Sequence, residues 1–376
     1  MRFNLILALL GCAHAPPDPR PMVPVPTAQS DSALIGKINS AVDSALISRS
    51  IPGAAVAVLR HDTLVLSKGY GLADIASRSP VTTRTIFQIA STTKLFTAMA
   101  VLLLVEEGKI DLDAPVARYL SWLPAKYSGI TVRQLLTHTS GVNPDVRNAN
   151  IDEMSVDEFK RRLTERPVSF PPGSSVQYAN SGFTLLSFVV ESASGEQFGQ
   201  FLQRRIFSPL GLHDTGYRVP LTADGRHAKG YERINGELSE VPQVFSGWGN
   251  SGIETTVGDL AKFTTALDRR LLLRPSTYDL MYTPGRLAND SVIRFSANGI
   301  PSSFGFAWFI QNYRGAYLLE HGGAVAGFSS QLNRFVRDGW TIIVLSNGKQ
   351  GADRRGQADA IASVIADVIG IGTSAR

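Results

Sequence analysis

A single cysteine, Cys12, stands in 376 residues, so no intramolecular disulfide can form and neither a cysteine-rich zinc site nor a C-x-x-C redox pair exists. The six histidines, at 14, 61, 138, 213, 227 and 321, include no H-x-H, H-x-x-H or H-E-x-x-H pairing, which argues against a metal hydrolase and gives no reason to expect a cofactor. There is no G-x-x-x-x-G-K-[ST] phosphate cradle and no G-x-S-x-G nucleophile elbow. Charge is sparse: 37 basic and 32 acidic residues give a net +5 without any Lys/Arg block, so nucleic acid is not expected as a partner. What the chain does have is apolar bulk, 44% of its residues, enough for a large buried core.

Met1-Arg2, the apolar stretch Leu5 to Leu10 and the small residues Gly11-Cys12-Ala13-His14-Ala15 form a pattern expected of an export signal over residues 1–15. The run is far shorter than the roughly 20 residues that a membrane-spanning helix needs. Two cleavage readings compete. Leu9-Leu10-Gly11-Cys12 resembles a lipobox, which would place a lipid on Cys12 and attach the protein to a membrane; Ala13-His14-Ala15 resembles an ordinary cleavage site, but Pro16 follows it directly. The expected location is therefore the periplasm or cell envelope. Residues 16–32, with six prolines between Pro16 and Ser30, read as an extended tether.

A catalytic domain is expected over 33–372. Ile35, Ile38, Val42 and Leu46 recur at helical spacing, as do Ile361, Val364, Ile365, Val368 and Ile369 near the other end. Between them, Ala54 to Leu59 and Thr63 to Ser67 flank His61-Asp62 as a hairpin. Phe306 to Ile310 with Ala316 to Glu320 around an Asn312 to Gly315 turn, and Gly327 to Phe335 with Trp340 to Ser346 around Asp338-Gly339, make two more. Strands cluster at both ends of the chain, while about 90–285 reads as helix and loop. The fold class that follows is α+β: an antiparallel sheet built from both termini, flanked by the terminal helices, with a mostly helical subdomain inserted.

Ser91-Thr92-Thr93-Lys94 lies where the irregular segment Ile86 to Ala90 enters an apolar helical run from Leu95 to Val105, which Gly108 closes. A serine in the first turn faces free backbone N–H groups at the positive end of the helix dipole, and a lysine three residues on shares its face. Such a lysine can take the serine's proton only if its surroundings lower its pKa from about 10. The tetrapeptide alone fits an ordinary helix cap equally well, and Ser346-Asn347-Gly348-Lys349 repeats its spelling after a strand, where no helix aligns the two side chains. Two further triplets, each unique in the chain, shift the balance: Tyr178-Ala179-Asn180, in a loop before an apolar helix starting near Phe183, and His321-Gly322-Gly323, at the end of a strand.

Ser-x-x-Lys, Tyr-x-Asn and His-x-Gly, in that order, resemble the serine β-lactamase and penicillin-binding superfamily, in particular its branch of class C β-lactamases, D-alanyl-D-alanine carboxypeptidases and related esterases. Gly69 to Asp74, Glu107 to Leu112, Leu135 to Gly141 and Gly327-Phe328 extend the likeness over about residues 33–370. The resemblance implies a serine hydrolase acting through an acyl-enzyme on a small-molecule or peptide ester or amide, peptidoglycan stem peptides among the alternatives. It implies Ser91 as nucleophile, Lys94 and Tyr178 as shared base and acid, and Asn180, His321 and Gly323 as substrate-binding residues. The backbone N–H groups of Ser91 and Ala324 would form the oxyanion hole. His138, in the Leu135 to Gly141 stretch, is expected to be structural. A histidine replaces the lysine of the third motif, which favours an esterase or peptidase over a penicillin-destroying enzyme. The alternative from another class is a binding protein that kept the fold without turnover.

Overall fold

The run Ala54 to Leu59 is apolar at every position, so both of its faces need covering and it belongs at the centre of a sheet rather than at an edge. The computed structural model, which describes residues 32–146, 154–218, 225–243, 247–297, 299–349 and 356–372, places it there. Cys12, the signal segment and the tether up to residue 31 lie outside the described residues.

The strands are β1 (Gly53–Arg60), β2 (Thr63–Asp74), β3 (Ser79–Pro80), β4 (Phe87–Gln88), β5 (Gly216–Tyr217), β6 (Gly230–Ile234), β7 (Glu237–Val241), β8 (Ile253–Thr255), β9 (Phe295–Ala297), β10 (Ile300–Phe304), β11 (Phe309–Tyr313), β12 (Ala316–Val325), β13 (Phe328–Phe335), β14 (Trp340–Ser346) and β15 (Gly348–Lys349). The main sheet runs β3-β2-β1-β14-β13-β12-β11-β10-β9 with antiparallel neighbours. Its two sequence halves meet where β1 pairs with β14, from Ala54 opposite Ser346 to Arg60 opposite Trp340. His61 and Asp62, both at positive φ, form the two-residue turn between β1 and β2.

Helix α1 (Ser32–Arg49) and the terminal helix Gly356–Val368 cover one face of this sheet. Ile38, Val42 and Leu46 pack there with Val56, Val58, Ile342, Val344, Ile361 and Ile365. Each such side chain contributes roughly 1.5–3 kcal/mol on burial. The alternate residues of the same strands, Ala55, Ala57, Ile343 and Leu345, face a larger core around α2 (Thr93–Glu106). The expected α+β layering is thus what is observed.

Three details differ from the sequence expectation. The turn before β12 is Arg314-Gly315 alone, with Phe306 to Trp308 preceding the strand because Ala307 turns at φ +64°. Strand β12 continues to Val325, so His321, Gly322 and Gly323 lie within a strand. Glycine's poor strand propensity hid this, and pairing with Gln331, Ser330 and their neighbours on β13 overrides it. The region 90–285 also carries sheet: β6 and β7 form a hairpin joined by β15, and β4-β8-β5 make a second small sheet. The hairpin had a readable signal in Asn235-Gly236, both at positive φ.

Candidate active site

The turn that carries Ser91 is held in a conformation it would not choose. Ala90 sits at φ +46°, a left-handed geometry that costs a non-glycine residue roughly 1–2 kcal/mol. A 3₁₀ turn over Ala90–Thr92 then leads into α2. Ile89 donates its N–H to the Ile253 carbonyl at 3.1 Å, and its own carbonyl accepts from Ser330 Oγ at 2.8 Å. Thr92 Oγ1 lies 2.9 Å from Ser330 Oγ. The turn is therefore clamped between β8 and the β12–β13 pair. Neither turn has a side-chain cap, so the ordinary capping role of Ser91 is not the one observed.

Lys94 is fully buried. Its Nζ donates to Ser91 Oγ at 3.0 Å, to Asn180 Oδ1 at 2.9 Å and to the Asn250 carbonyl at 2.8 Å. Asn180, the first residue of helix Asn180–Ser194 rather than part of the preceding loop, is oriented by its Nδ2 donating to Asp145 Oδ2 at 3.1 Å. With its amide oxygen turned to the lysine and its nitrogen to a carboxylate, the amide cannot flip without losing both bonds.

Tyr178 is half-buried, with Lys94 Nζ 4.9 Å from its ring centroid. His138 holds it in place. The His138 carbonyl accepts from Gln177 N–H at 2.9 Å, Nδ1 accepts from Ala179 N–H at 3.0 Å, and the imidazole stacks on the Tyr178 ring at 4.5 Å. Since Nδ1 accepts, the neutral ring carries its proton on Nε2. Burial, then the charges of Lys94 and His321, hold this imidazole well below its ordinary pKa of 6.5. His138 is a structural support of the tyrosine.

His321 is buried on β12 with its ring centroid 6.2 Å from that of Tyr178 and 5.4 Å from that of Phe309. Nδ1 lies 2.7 Å from the Gly322 carbonyl, which only accepts, so the proton is on Nδ1. Burial and the Lys94 charge push its pKa down to about 3, against the opposing pull of the Gly322 bond. At neutral pH this position supplies no positive charge. The neighbouring glycines have close contacts of their own. A Cβ on Gly323 would stand 2.2 Å from the Ile89 carbonyl oxygen and 2.9 Å from Ser91 N, so its bareness admits the backbone of the turn that carries Ser91. On Gly322 a Cβ would meet Gln331 Oε1 at 2.4 Å.

Strand β11 pairs with β12 only as far as Glu320. Beyond Glu320, β12 lies beside the turn that carries Ser91, with Thr92 Oγ1 3.4 Å from the His321 carbonyl and Gly323 against Ile89 and Ser91, and both Ala324 and Ser91 are half-buried. The second Ser-x-x-Lys is structural: Ser346 Oγ bonds the Gly53 carbonyl, and buried Asn347 donates to the carbonyls of Leu72, Ala73 and Lys229.

Two site residues escaped the sequence reading, Asp145 and Asn250. Gly247-Trp248-Gly249-Asn250-Ser251-Gly252 has the spacing G-x-G-x-x-G, which could have drawn notice. It opens no helix after a strand. A Cβ on Gly249 would stand 2.5 Å from the Phe183 carbonyl, so glycine there lets the loop approach closely enough for the Asn250 carbonyl to reach Lys94.

A family model described as Beta-lactamase matches residues 38–366. Penicillin-binding protein 4* of Bacillus subtilis (strain 168) is 29% identical over 307 residues, covering 76% of this chain and 65% of that protein, so the chain spans just under two thirds of that relative's length. The putative penicillin-binding protein PbpX of the same strain is 27% identical over 307 residues, 80% of this chain and 72% of the relative. The octameric penicillin-binding protein homologue from Pyrococcus abyssi is similar in structure with a TM-score of 0.76 at 26% identity, over 89% of this chain and 77% of that one. The D-amino acid amidase from Ochrobactrum anthropi SV3, complexed with L-phenylalanine amide, has a TM-score of 0.78 at 23% identity, over 91% and 100%, a likeness of fold.

Proposed function

The chain belongs to the beta-lactamase family, and from that premise we propose that it is an exported serine hydrolase cleaving an ester or amide through an acyl-enzyme on Ser91. The observation that carries the proposal is the contact of a buried lysine amine with the serine hydroxyl, 3.0 Å apart, beside the Tyr178 ring.

In the first half-reaction Ser91 Oγ attacks the substrate carbonyl carbon while its proton passes to the Lys94–Tyr178 pair. The oxyanion is held by the backbone N–H groups of Ser91 and Ala324; a donor of this kind contributes roughly 3–4 kcal/mol to the barrier. Collapse of the tetrahedral intermediate breaks the bond to the leaving group, which departs with the stored proton. Water then adds to the acyl carbon, gives its proton to the same pair, and the pair returns it to Ser91 Oγ as the acid leaves. Asn180 holds Lys94 in line and Gly323 seats the strand edge against the nucleophile turn.

Position 321 supports a choice among substrates. A penicillin's carboxylate calls for a fixed cation, whereas His321 is neutral above about pH 3. An esterase or peptidase is therefore favoured over a β-lactamase. The second reading, a D-Ala-D-Ala carboxypeptidase or penicillin-binding protein acting on peptidoglycan stems, is favoured by the relatives named penicillin-binding proteins. Parallel rates on p-nitrophenyl esters, nitrocefin and a D-Ala-D-Ala peptide separate these. Ester turnover that is lost in Ser91→Ala, with little nitrocefin hydrolysis, supports the first; D-alanine release as the fastest reaction supports the second; no turnover of any of them points to a binding protein. For the envelope location, palmitate labelling lost in Cys12→Ser supports lipid attachment, and a mature N-terminus at Pro16 contradicts it.

A further inference from the structure

Besides Ser91 Oγ, the Lys94 amine meets two oxygens that only accept, Asn180 Oδ1 and the Asn250 carbonyl. A neutral amine has two N–H bonds and one lone pair. With its two N–H bonds directed at Asn180 and Asn250, the lone pair is left for the Ser91 hydroxyl, the direction that proton abstraction requires. The aim of that lone pair therefore depends on where the two acceptors stand. Asp145 fixes the first of them, the Asn180 amide.

The second is fixed by a pair of threonines. Thr97, one turn beyond Lys94 on α2, donates its hydroxyl to the Gly249 carbonyl at 2.6 Å. Thr184, one turn beyond Asn180 on that residue's helix, donates to Asn250 Oδ1 at 3.0 Å. A hydroxyl has a single hydrogen, and threonines inside helices commonly give it to the carbonyl four residues back. Here those carbonyls, of Thr93 and Asn180, lie farther off, both at 3.4 Å, so the shorter bonds run to the loop. The Trp248 N–H donates to the same Asn250 Oδ1 at 3.2 Å, which sets the orientation of the amide. Thr97 is 0%, Thr184 3% and Asn250 2% exposed, so these bonds form out of contact with bulk water. The loop is thus strung between the helix that bears Lys94 and the helix that bears Asn180.

We propose that Thr184 and the Asn250 side chain are positioning residues for Lys94: they hold the Asn250 carbonyl at a set place relative to Asn180 Oδ1, and so turn the free valence of the amine toward Ser91. This rests on the serine-hydrolase reading above. Thr184 acts only through the loop, and its part lies in the rate of acyl transfer rather than in substrate binding.

The test is single-turnover stopped-flow acylation by p-nitrophenyl butyrate with enzyme in excess, which separates the acylation rate constant from the apparent binding constant. Thr184→Val keeps the size of the side chain and removes the hydroxyl. It is expected to lower the acylation rate constant at least tenfold, with the binding constant within about twofold of wild type, since small misplacements of a reacting group carry costs of this order. Thr184→Ser is expected to recover the rate to within about threefold. Asn250→Ala should repeat the loss, and the double variant should be no more than about threefold slower than the slower single one, because both changes cut the same link. Circular dichroism establishes that each variant is folded; should Thr184→Val not fold, Asn250→Ala alone carries the same expectation. Full-rate acylation in the folded variants, a change confined to the binding constant, a Thr184→Ser variant as slow as Thr184→Val, or losses that multiply in the double variant would each overturn the proposal while Ser91-dependent turnover leaves the hydrolase reading standing. Absence of any Ser91-dependent turnover in wild type defeats that reading itself.

Discussion

Two imidazoles kept neutral beside Lys94 make acid lability a quantitative consequence of the site. An unfolded histidine takes up a proton as the pH falls through about 6.5, whereas His321 in the folded chain does so only at about 3, and His138 is displaced in the same direction. The unfolded state thus binds more protons across this window, so the stability contribution is complete above pH 6.5 and declines as the pH drops toward 3. Between pH 7 and pH 5 linkage gives a loss of about 2 kcal/mol for His321, and His138 adds a loss of the same sign. Carboxylates with lowered pKa values, such as Asp113 and Glu107, lose their contribution only as the pH falls through and below about 4, so they leave this window almost untouched. Urea unfolding at pH 7, 6 and 5 measures the loss, and His321→Asn should remove the roughly 2 kcal/mol that His321 supplies. Imidazole proton shifts in wild type provide the check that needs no variant: two histidines should not titrate between pH 7.5 and 5. Equal stability at pH 7 and 5, or titration of all the imidazoles near 6.5, would refute the reasoning.

Lys94→Ala and Tyr178→Phe are each expected to lower kcat at least 10²-fold with folding retained, as loss of a general base typically does; near-normal turnover in either, by stopped-flow or steady-state ester assay, would break the shared-proton picture. Gly323→Ala should abolish turnover and lower stability by at least about 1–3 kcal/mol, because its methyl group would have backbone atoms of Ile89 and Ser91 within 3 Å; thermal unfolding and ester rates report both. Ala90→Gly should be neutral or stabilising by up to about 1 kcal/mol and Ala90→Val destabilising, since the position stands at positive φ; urea unfolding of the two variants checks the signs. Asp145→Ala frees the Asn180 amide to turn, and a fall in kcat/KM of about tenfold or more is expected, checked by rescue in Asp145→Asn.

The sheet was legible because its central strands are long, β-branched and interrupted by clear turns: His61-Asp62 and Asp338-Gly339 mark two of its hairpins by residue type alone. The terminal helices followed from apolar spacing that the core uses, with Ile38, Val42, Ile361 and Ile365 all buried. The strands Phe87–Gln88 and Ile253–Thr255 carry too few residues for any period to show, and they pair with each other across more than 160 residues of chain. In the site, Ser91 and Lys94 were readable because a helix places them on one face. Tyr178 and His321 came from motif resemblance, not from spacing. Asp145 and Asn250 were invisible: one acts through a carboxylate brought from a loop 35 residues before its partner, the other through a backbone carbonyl, which no side-chain pattern encodes.

The central claim is that one serine hydroxyl, activated by a buried lysine and an adjacent tyrosine, becomes covalently acylated. Intact-mass measurement after brief exposure to a panel of activated esters, amides and β-lactams, followed by peptide mapping, tests it most directly. A single mass increase equal to the acyl group, mapped to Ser91 and lost in Ser91→Ala, is the predicted result. An adduct on another residue, or turnover that persists at the wild-type rate in Ser91→Ala, would contradict it.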